Sequence, residues 1–257
     1  LGAAELSQSV LWPITPVRNQ NTCGSCWAFA TVALIESNFR VYNNSELDLS
    51  EQSLLECTKS GNSCGGGNLV ALLSDSSMQA YLSKLNILHF KAGSYNESII
   101  CAASGKRLGQ NFQWRMGVSL SESVLKSLLM QGPVTVGMYA SREFTNYRSD
   151  KVWTCGPNAT SWFQLNHAVE LIGYDEDGNY IIKNSWGRQW GSNGTAKIDR
   201  RFPCGIGLYV VQIYAPPTQN SNLRADATKT NLGNVKKSEG RLLPLLLLLP
   251  LLFGLLL

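Results

Sequence analysis

Histidine is almost missing from this chain: 257 residues carry two, His89 and His167. A zinc knuckle needs four ligands, and the cysteines form no second close pair, so the C-x-x-C at Cys23 and Cys26 is not read as a metal site. No cofactor or metal is expected. Charge is also scarce, at 16% Asp, Glu, Lys and Arg with a net charge of +4. The basic residues are scattered, and Lys229, Lys236, Lys237 and Arg241 fall in one polar stretch near the end. A nucleic-acid partner would need a clustered basic face, and none is visible. The triple glycine at 65–67 is followed by no Lys-Ser/Thr, so it is not a phosphate cradle. A βαβ alternation is lacking too, which removes the context of a thioredoxin-like redox motif.

Residues 1–9 lack a basic start and a long apolar run, so no signal peptide opens the chain. If the protein is secreted, the expectation is that leader and pro-segment have already been removed. The one long apolar run is the last, "LLPLLLLLPLLFGLLL" from Leu242 to Leu257. It has about 16 residues and two prolines, short against the roughly 20 of a spanning helix. Small residues around Asn231 and Gly233, the spacer "GNVKKSEGR" and this tail follow the order of a GPI-attachment signal. A retained tail anchor is the rival reading.

Seven cysteines are present, an odd number that reads as three bridges and one free thiol in an oxidising compartment. The Asn-x-Ser/Thr sequons at Asn43, Asn96, Asn158 and Asn193 support a secretory route, lysosomal, vacuolar or extracellular.

Helical spacing runs from about Ser25 to Tyr42, with Ser25 as the expected N-cap. A short helix is expected after Ser50. Another, "ESVLKSLLMQG", has Ser119 and Glu122 at capping-box spacing and is stopped by Gly132 and Pro133. After it, "PVTVGMY", "NHAVELIGY", "NYIIKNSW", "TAKI" and "LYVVQIY" alternate as strands around turns such as "DEDGN". The class is therefore α+β: a mainly helical lobe over about 10–110 and a mainly β lobe over 111–215. Residues 216–241 read as a polar linker.

Nucleophilic catalysis remains for the C-x-x-C. Cys26 would stand in the first turn of a helix, where the dipole favours a thiolate. His167 lies in an expected strand far along the chain and can serve as the base. Asn184, in "KNSWG", can accept the ring N–H and fix its tautomer. "CGSCW" with distant His and Asn resembles the papain and cathepsin L-like cysteine proteases. "TPVRNQ", "CGGG", "LNHAV" and "NSWGRQWG" extend the resemblance in the family's order, over about residues 10–215.

The resemblance implies a two-lobed fold with the cleft between the lobes, the second lobe barrel-like. It implies Cys26 as nucleophile, His167 as acid/base, Asn184 as orienting group and Gln20 as oxyanion donor beside the Cys26 N–H. Trp186 would cover the His–Asn hydrogen bond. The implied disulfides are Cys23–Cys64, Cys57–Cys101 and Cys155–Cys204, leaving Cys26 free. Gly66 and Gly67 would pair with substrate backbone, and Asn68, Leu69, Gly137, Asn166 and Tyr209 would form the pocket for the residue two before the scissile bond. Partners implied are peptide or protein substrates, a pro-segment and cystatin-like inhibitors. The protein is expected to be a monomer attached to a membrane through its tail.

The chain departs from the family pattern at Asn21, Ala30, Asn68 and "QSVLWP", none of which removes a catalytic group. His89 is expected to be a loop or surface residue. No histidine pair of the carboxydipeptidase kind is present, so endopeptidase action is expected. Trp153, Trp162 and Trp190 read as core or cleft-wall aromatics. The alternative function is a catalytically silent binding or adhesion module of the same fold at a membrane surface.

Overall fold

A computed structural model describes residues 9–44, 46–57, 63–68, 113–157, 159 and 161–214. Leu69, His89, Asn96, Cys101, Asn158, the linker and the tail lie outside them. So does the expected Cys57–Cys101 bridge, since the Cys57 side chain is not among the described parts.

The central element is helix α1, Cys26–Asn43. Cys26 to Phe39 are buried without a break, so this is a helix covered on all sides and not a surface one. It ends at Asn44, whose φ of 47° is the left-handed turn asparagine tolerates. Ser25 occupies the N-cap position, and its carbonyl takes the N–H groups of Ala28 and Phe29 at 2.9 and 3.2 Å. Its side chain, however, makes no cap bond. With φ −105° and ψ 17°, Ser25 is not in the extended geometry that swings a hydroxyl over the first turn. The short helix α2, Glu51–Cys57, packs against α1.

The strands among the described residues build one sheet. Its strands are β1 Val10–Leu11, β2 Gln113–Val118, β3 Val134–Met138, β4 Val152–Trp153, β5 His167–Tyr174, β6 Tyr180–Lys183, β7 Thr195–Ile198 and β8 Tyr209–Tyr214. Their order is β2-β8-β3-β5-β6-β7-β4, with β1 added beside β5. All pairings are antiparallel except β4 with β7. Helix α3, Glu122–Leu129, is capped by Ser121, whose hydroxyl accepts from Val124 N at 3.4 Å. The expected box at Ser119 is not made: Ser119 has φ 50° and gives its N–H to Leu208 O, which ties the loop to β8 instead. A capping box does form at Ser161 and Gln164, around the 3₁₀ turn Trp162–Gln164 just before β5.

Strand β5 is buried along its whole length and joins two cores. Ala168 packs into the cluster around α1, with Trp27, Leu34 and Ile35. Val169 and Leu171, one register apart, pack into the sheet's own cluster with Phe144, Trp190 and Ile198. Among the described residues no helix is long and apolar enough to cross a membrane.

Candidate active site

Cys26 begins α1 and is the free cysteine of the described residues. The loop before it is clamped from both ends. Cys23 is disulfide-bonded to Cys64, and Gly24 N donates to Cys64 O at 3.1 Å. A β-carbon on Gly24 would lie 2.4 Å from that carbonyl, so this contact requires glycine. Gly67 lies flat on the Trp27 indole, where a β-carbon would come within 2.3 Å of the ring. Gly66 has φ 110°, again a glycine conformation. The "CGSCW" and "CGGG" stretches thus fit each other through contacts only glycine permits. Cys155 pairs with Cys204 in the sheet region.

His167 opens β5, and its Nε2 lies 2.8 Å from Asn184 Oδ1. The same oxygen accepts Ser185 N–H at 2.8 Å. A backbone N–H can only donate, so it fixes which end of the amide faces the imidazole. Nε2 therefore carries the hydrogen in this contact, and Nδ1 is the basic nitrogen. Trp186 stacks on the imidazole at 4.5 Å between centroids and 26° between planes. Behind it, Phe144 and Trp190 meet the Trp186 rings edge-on at 5.9 and 5.3 Å. Phe144 stands on a helix of one turn, α4 (Arg142–Thr145), which the sequence pattern did not indicate. Such aromatic pairs add roughly 1 kcal/mol each beyond burial.

Gln20 is held on the Asn184 side of the site. Its backbone N–H donates to Ser185 O at 2.8 Å, its Oε1 accepts from Ser185 Oγ at 2.6 Å, and its Nε2 donates to Cys23 O at 2.8 Å. An amide nitrogen has a second hydrogen, so the Cys23 bond aims the group without using both donors. Ser185 went unnoticed in the sequence although it lies inside "KNSWG"; only the fold brings it to Gln20. The left-handed Asn21, φ 52°, turns the chain from Gln20 toward Cys23.

Burial sets the electrostatics. It pushes the Cys26 thiol up to about 11, while N–H groups of Ala168, Trp27 and Cys26 itself pull it back. The helix N–H groups that Ser25 leaves uncapped are thus directed at sulfur. Burial likewise pulls His167 down to about 4, against the Asn184 hydrogen bond. Each isolated charge is penalised, so the closed site favours neutral thiol and neutral imidazole.

The other expected residues fall into two groups. Gly137 and Tyr209 adjoin: a β-carbon on Gly137 would meet Leu165 at 3.3 Å and the Tyr209 side chain at 3.5 Å. Trp162 meets Tyr209 edge-on at 6.3 Å. Asn68 is buried. The exposed Asn166, by contrast, spends its side chain on Ala140, accepting its N–H at 2.8 Å and donating to its carbonyl at 3.0 Å. Its amide braces the turn before His167. Among the described residues no group of three or more His, Cys, Asp or Glu could hold a metal.

A family profile described as "Papain family cysteine protease" matches residues 6–214. The chain is 32% identical over 198 residues to a viral cathepsin of Cydia pomonella granulosis virus, covering 75% of this chain and 56% of that protein. It is 34% identical over 200 residues to the viral cathepsin of Epiphyas postvittana nucleopolyhedrovirus, covering 75% and 58%. Its length thus spans little more than half of these curated relatives. Among solved structures, the bromelain protease from Ananas comosus in complex with the E64 inhibitor superposes with a TM-score of 0.69 at 31% identity, covering 81% of this chain and 99% of that one.

Proposed function

Because the chain belongs to the papain family of cysteine proteases, we propose that it is a cysteine endopeptidase in which Cys26 and His167 hydrolyse peptide bonds through an acyl-enzyme. The fold is the two-lobed α+β fold of that family. The observation that carries the reading is the bond of 2.8 Å from His167 Nε2 to Asn184 Oδ1 under a stacked Trp186, which leaves Nδ1 as the base for a thiol at a helix start.

In the reaction, His167 Nδ1 takes the Cys26 proton as sulfur attacks the scissile carbonyl. The oxyanion develops between the Cys26 N–H and Gln20 Nε2. Imidazolium, stabilised by Asn184, then gives its proton to the leaving amine, and water activated by the same imidazole releases the acyl group.

The test is labelling with a peptidyl epoxide that alkylates activated thiols. Mass spectrometry is expected to find the label on Cys26, and a His167→Ala chain is expected to label far more slowly. Equal labelling of both chains would remove His167 from the mechanism.

The pocket for the residue two before the scissile bond is assigned to Asn68, Leu69, Gly137, Asn166 and, at its floor, Tyr209, with Gly66 and Gly67 pairing with the substrate backbone. Tyr209 limits its depth, and no acid stands at this floor to meet a basic side chain. Cleavage of a peptide library is expected to favour aliphatic or modest aromatic residues there; a profile dominated by arginine would contradict it. Disulfides together with cathepsin relatives are consistent with a secreted or lysosomal protein. On this reading 1–215 is the protease domain, 216–241 the linker and 242–257 a membrane-attachment tail.

A further inference from the structure

A cavity of about 20 Å³ lies between α1, α2, β5 and β6, with Asn184 but not His167 in its lining. Its lining includes Arg18, Glu36, Glu51, Glu170, Lys183 and Asn184. The polar atoms around it are unequally served. Glu36 Oε1 accepts Leu49 N–H at 2.8 Å, and Lys183 Nζ donates to Thr15 Oγ1 at 2.6 Å. Glu170 is 1% exposed and faces Lys183 at 3.5 Å, yet neither of its oxygens has a hydrogen bond within the protein. Asn184 Nδ2 and Arg18 Nε are buried donors in the same condition. Two donors and a carboxylate that need partners therefore line one small space.

The direction of the Asn184 amide is already determined. Its Oδ1 is held by Ser185 N–H and faces His167, so Nδ2 must point the other way. An unpaired buried amide N–H is destabilising, and turning the amide over would relieve part of that at the expense of the imidazole. A water molecule needs about 10–15 Å³ of such space and two to four polar partners. The cavity meets both requirements for one water, and the cationic groups of Arg18 and Lys183 on its wall disfavour a metal ion.

We propose that one water bound in this cavity accepts from Asn184 Nδ2 and donates to Glu170, making Glu170 a positioning residue for the His167–Asn184 pair. Glu170 does not touch the reacting atoms. It acts through the water and the amide, holding Oδ1 toward Nε2. The strand register supports this: Glu170 pairs with Lys183, next to Asn184, and stands three residues after His167 on the same strand. The catalytic meaning rests on the proposed peptidase reaction, but the water itself does not.

The test uses the purified chain and two variants. In the wild type, NMR is expected to show a cross-peak between a slowly exchanging water and the Asn184 side-chain amide protons. Glu170→Ala removes the acceptor. It is expected to lose the cross-peak, lower kcat roughly tenfold with KM changed less than about twofold, and speed solvent exchange of the His167 Nε2 proton. Glu170→Gln keeps a carbonyl acceptor and is expected to recover most of that loss. Absence of the cross-peak in the wild type overturns the proposal, as does Glu170→Ala with unchanged kcat and unchanged His167 exchange. Should Glu170→Ala fail to fold, the wild-type cross-peak and its survival in Glu170→Gln decide. A wild type that cleaves no peptide would count against the peptidase reading alone, because the cross-peak is read without turnover.

Discussion

Cys26→Ala is expected to lower kcat for peptide hydrolysis by at least ~10⁴-fold while the chain stays folded. The thiol contributes little to the core that a methyl group cannot replace. Cys26 is 4% exposed at the start of α1, and its neighbours Trp27, Ala28 and Ala30 are held by their own packing. What disappears is the only free nucleophilic sulfur among the described residues. Gln20→Ala should behave differently. Its loss removes one oxyanion donor, which in comparable sites costs about 10²–10³ in kcat, roughly 3–4 kcal/mol. The two variants thus separate covalent chemistry from charge stabilisation, with stopped-assay kcat as the readout and circular dichroism as the control for folding. A Cys26→Ala chain that keeps a tenth of wild-type kcat would place the nucleophile elsewhere.

The second large effect concerns stability and pH. Burial pushes Glu36 up from 4.5 to about 7, against the Leu49 N–H, the Thr15 hydroxyl and Lys183, with Glu51 adding to the rise. Glu51 is itself raised by burial, against its own backbone N–H, Arg18 and Lys183. Both acids face the cavity that Glu170, Lys183 and Arg18 also line. A carboxyl whose folded pKa exceeds its unfolded one binds its proton more tightly in the folded state. The Glu36 contribution is then full below about pH 4.5 and is lost as pH rises from there through about 7, while His167, pulled down to about 4, contributes with the opposite sign over a similar range. For Glu36 the difference amounts to about 3 kcal/mol across that window. Glu36→Gln removes this proton exchange and should raise the melting temperature relative to the wild type by roughly 6–12 °C at pH 7.5 but change it little at pH 4.5. Thermal unfolding at the two pH values measures this. A Glu36→Gln chain that melts no higher than the wild type at pH 7.5 would show that Glu36 does not carry this contribution.

Much of the site could be read directly from the residues because its chemistry is carried by short, rigid loops. The glycines of "CGSCW" and "CGGG" are demanded by contacts of 2.3–2.4 Å that no other side chain allows. Strands β3, β5, β6, β7 and β8 were legible as short apolar, β-branched runs between turns, and β3, β5 and β8 are buried on both faces. Strands β1 and β4 span two residues each and carry no period to detect.

Helix starts were legible only to within a residue or two. Ser119 carries the capping-box spacing to Glu122, yet the cap is Ser121, because the Ser119 N–H is given to Leu208 O in the loop before β8. Ser25 has the right residue type in the right place, but its burial and backbone angles hand the helix N–H groups to the Cys26 sulfur instead.

The sequence by itself determined the residue types of the chemistry, their order and the helical-then-β course of the chain, because those depend on local backbone preferences and on loops that must hold glycine. The tertiary structure alone decided what surrounds them. Ser185 reaching Gln20, Phe144 and Trp190 bracing Trp186, and three buried carboxyls meeting Lys183 and Arg18 are contacts between segments far apart in the chain. Such contacts leave no periodic trace in either segment, since each residue's environment is set by what the fold brings against it. The pKa shifts follow the same rule: burial sets them, and burial exists only once the layers are packed.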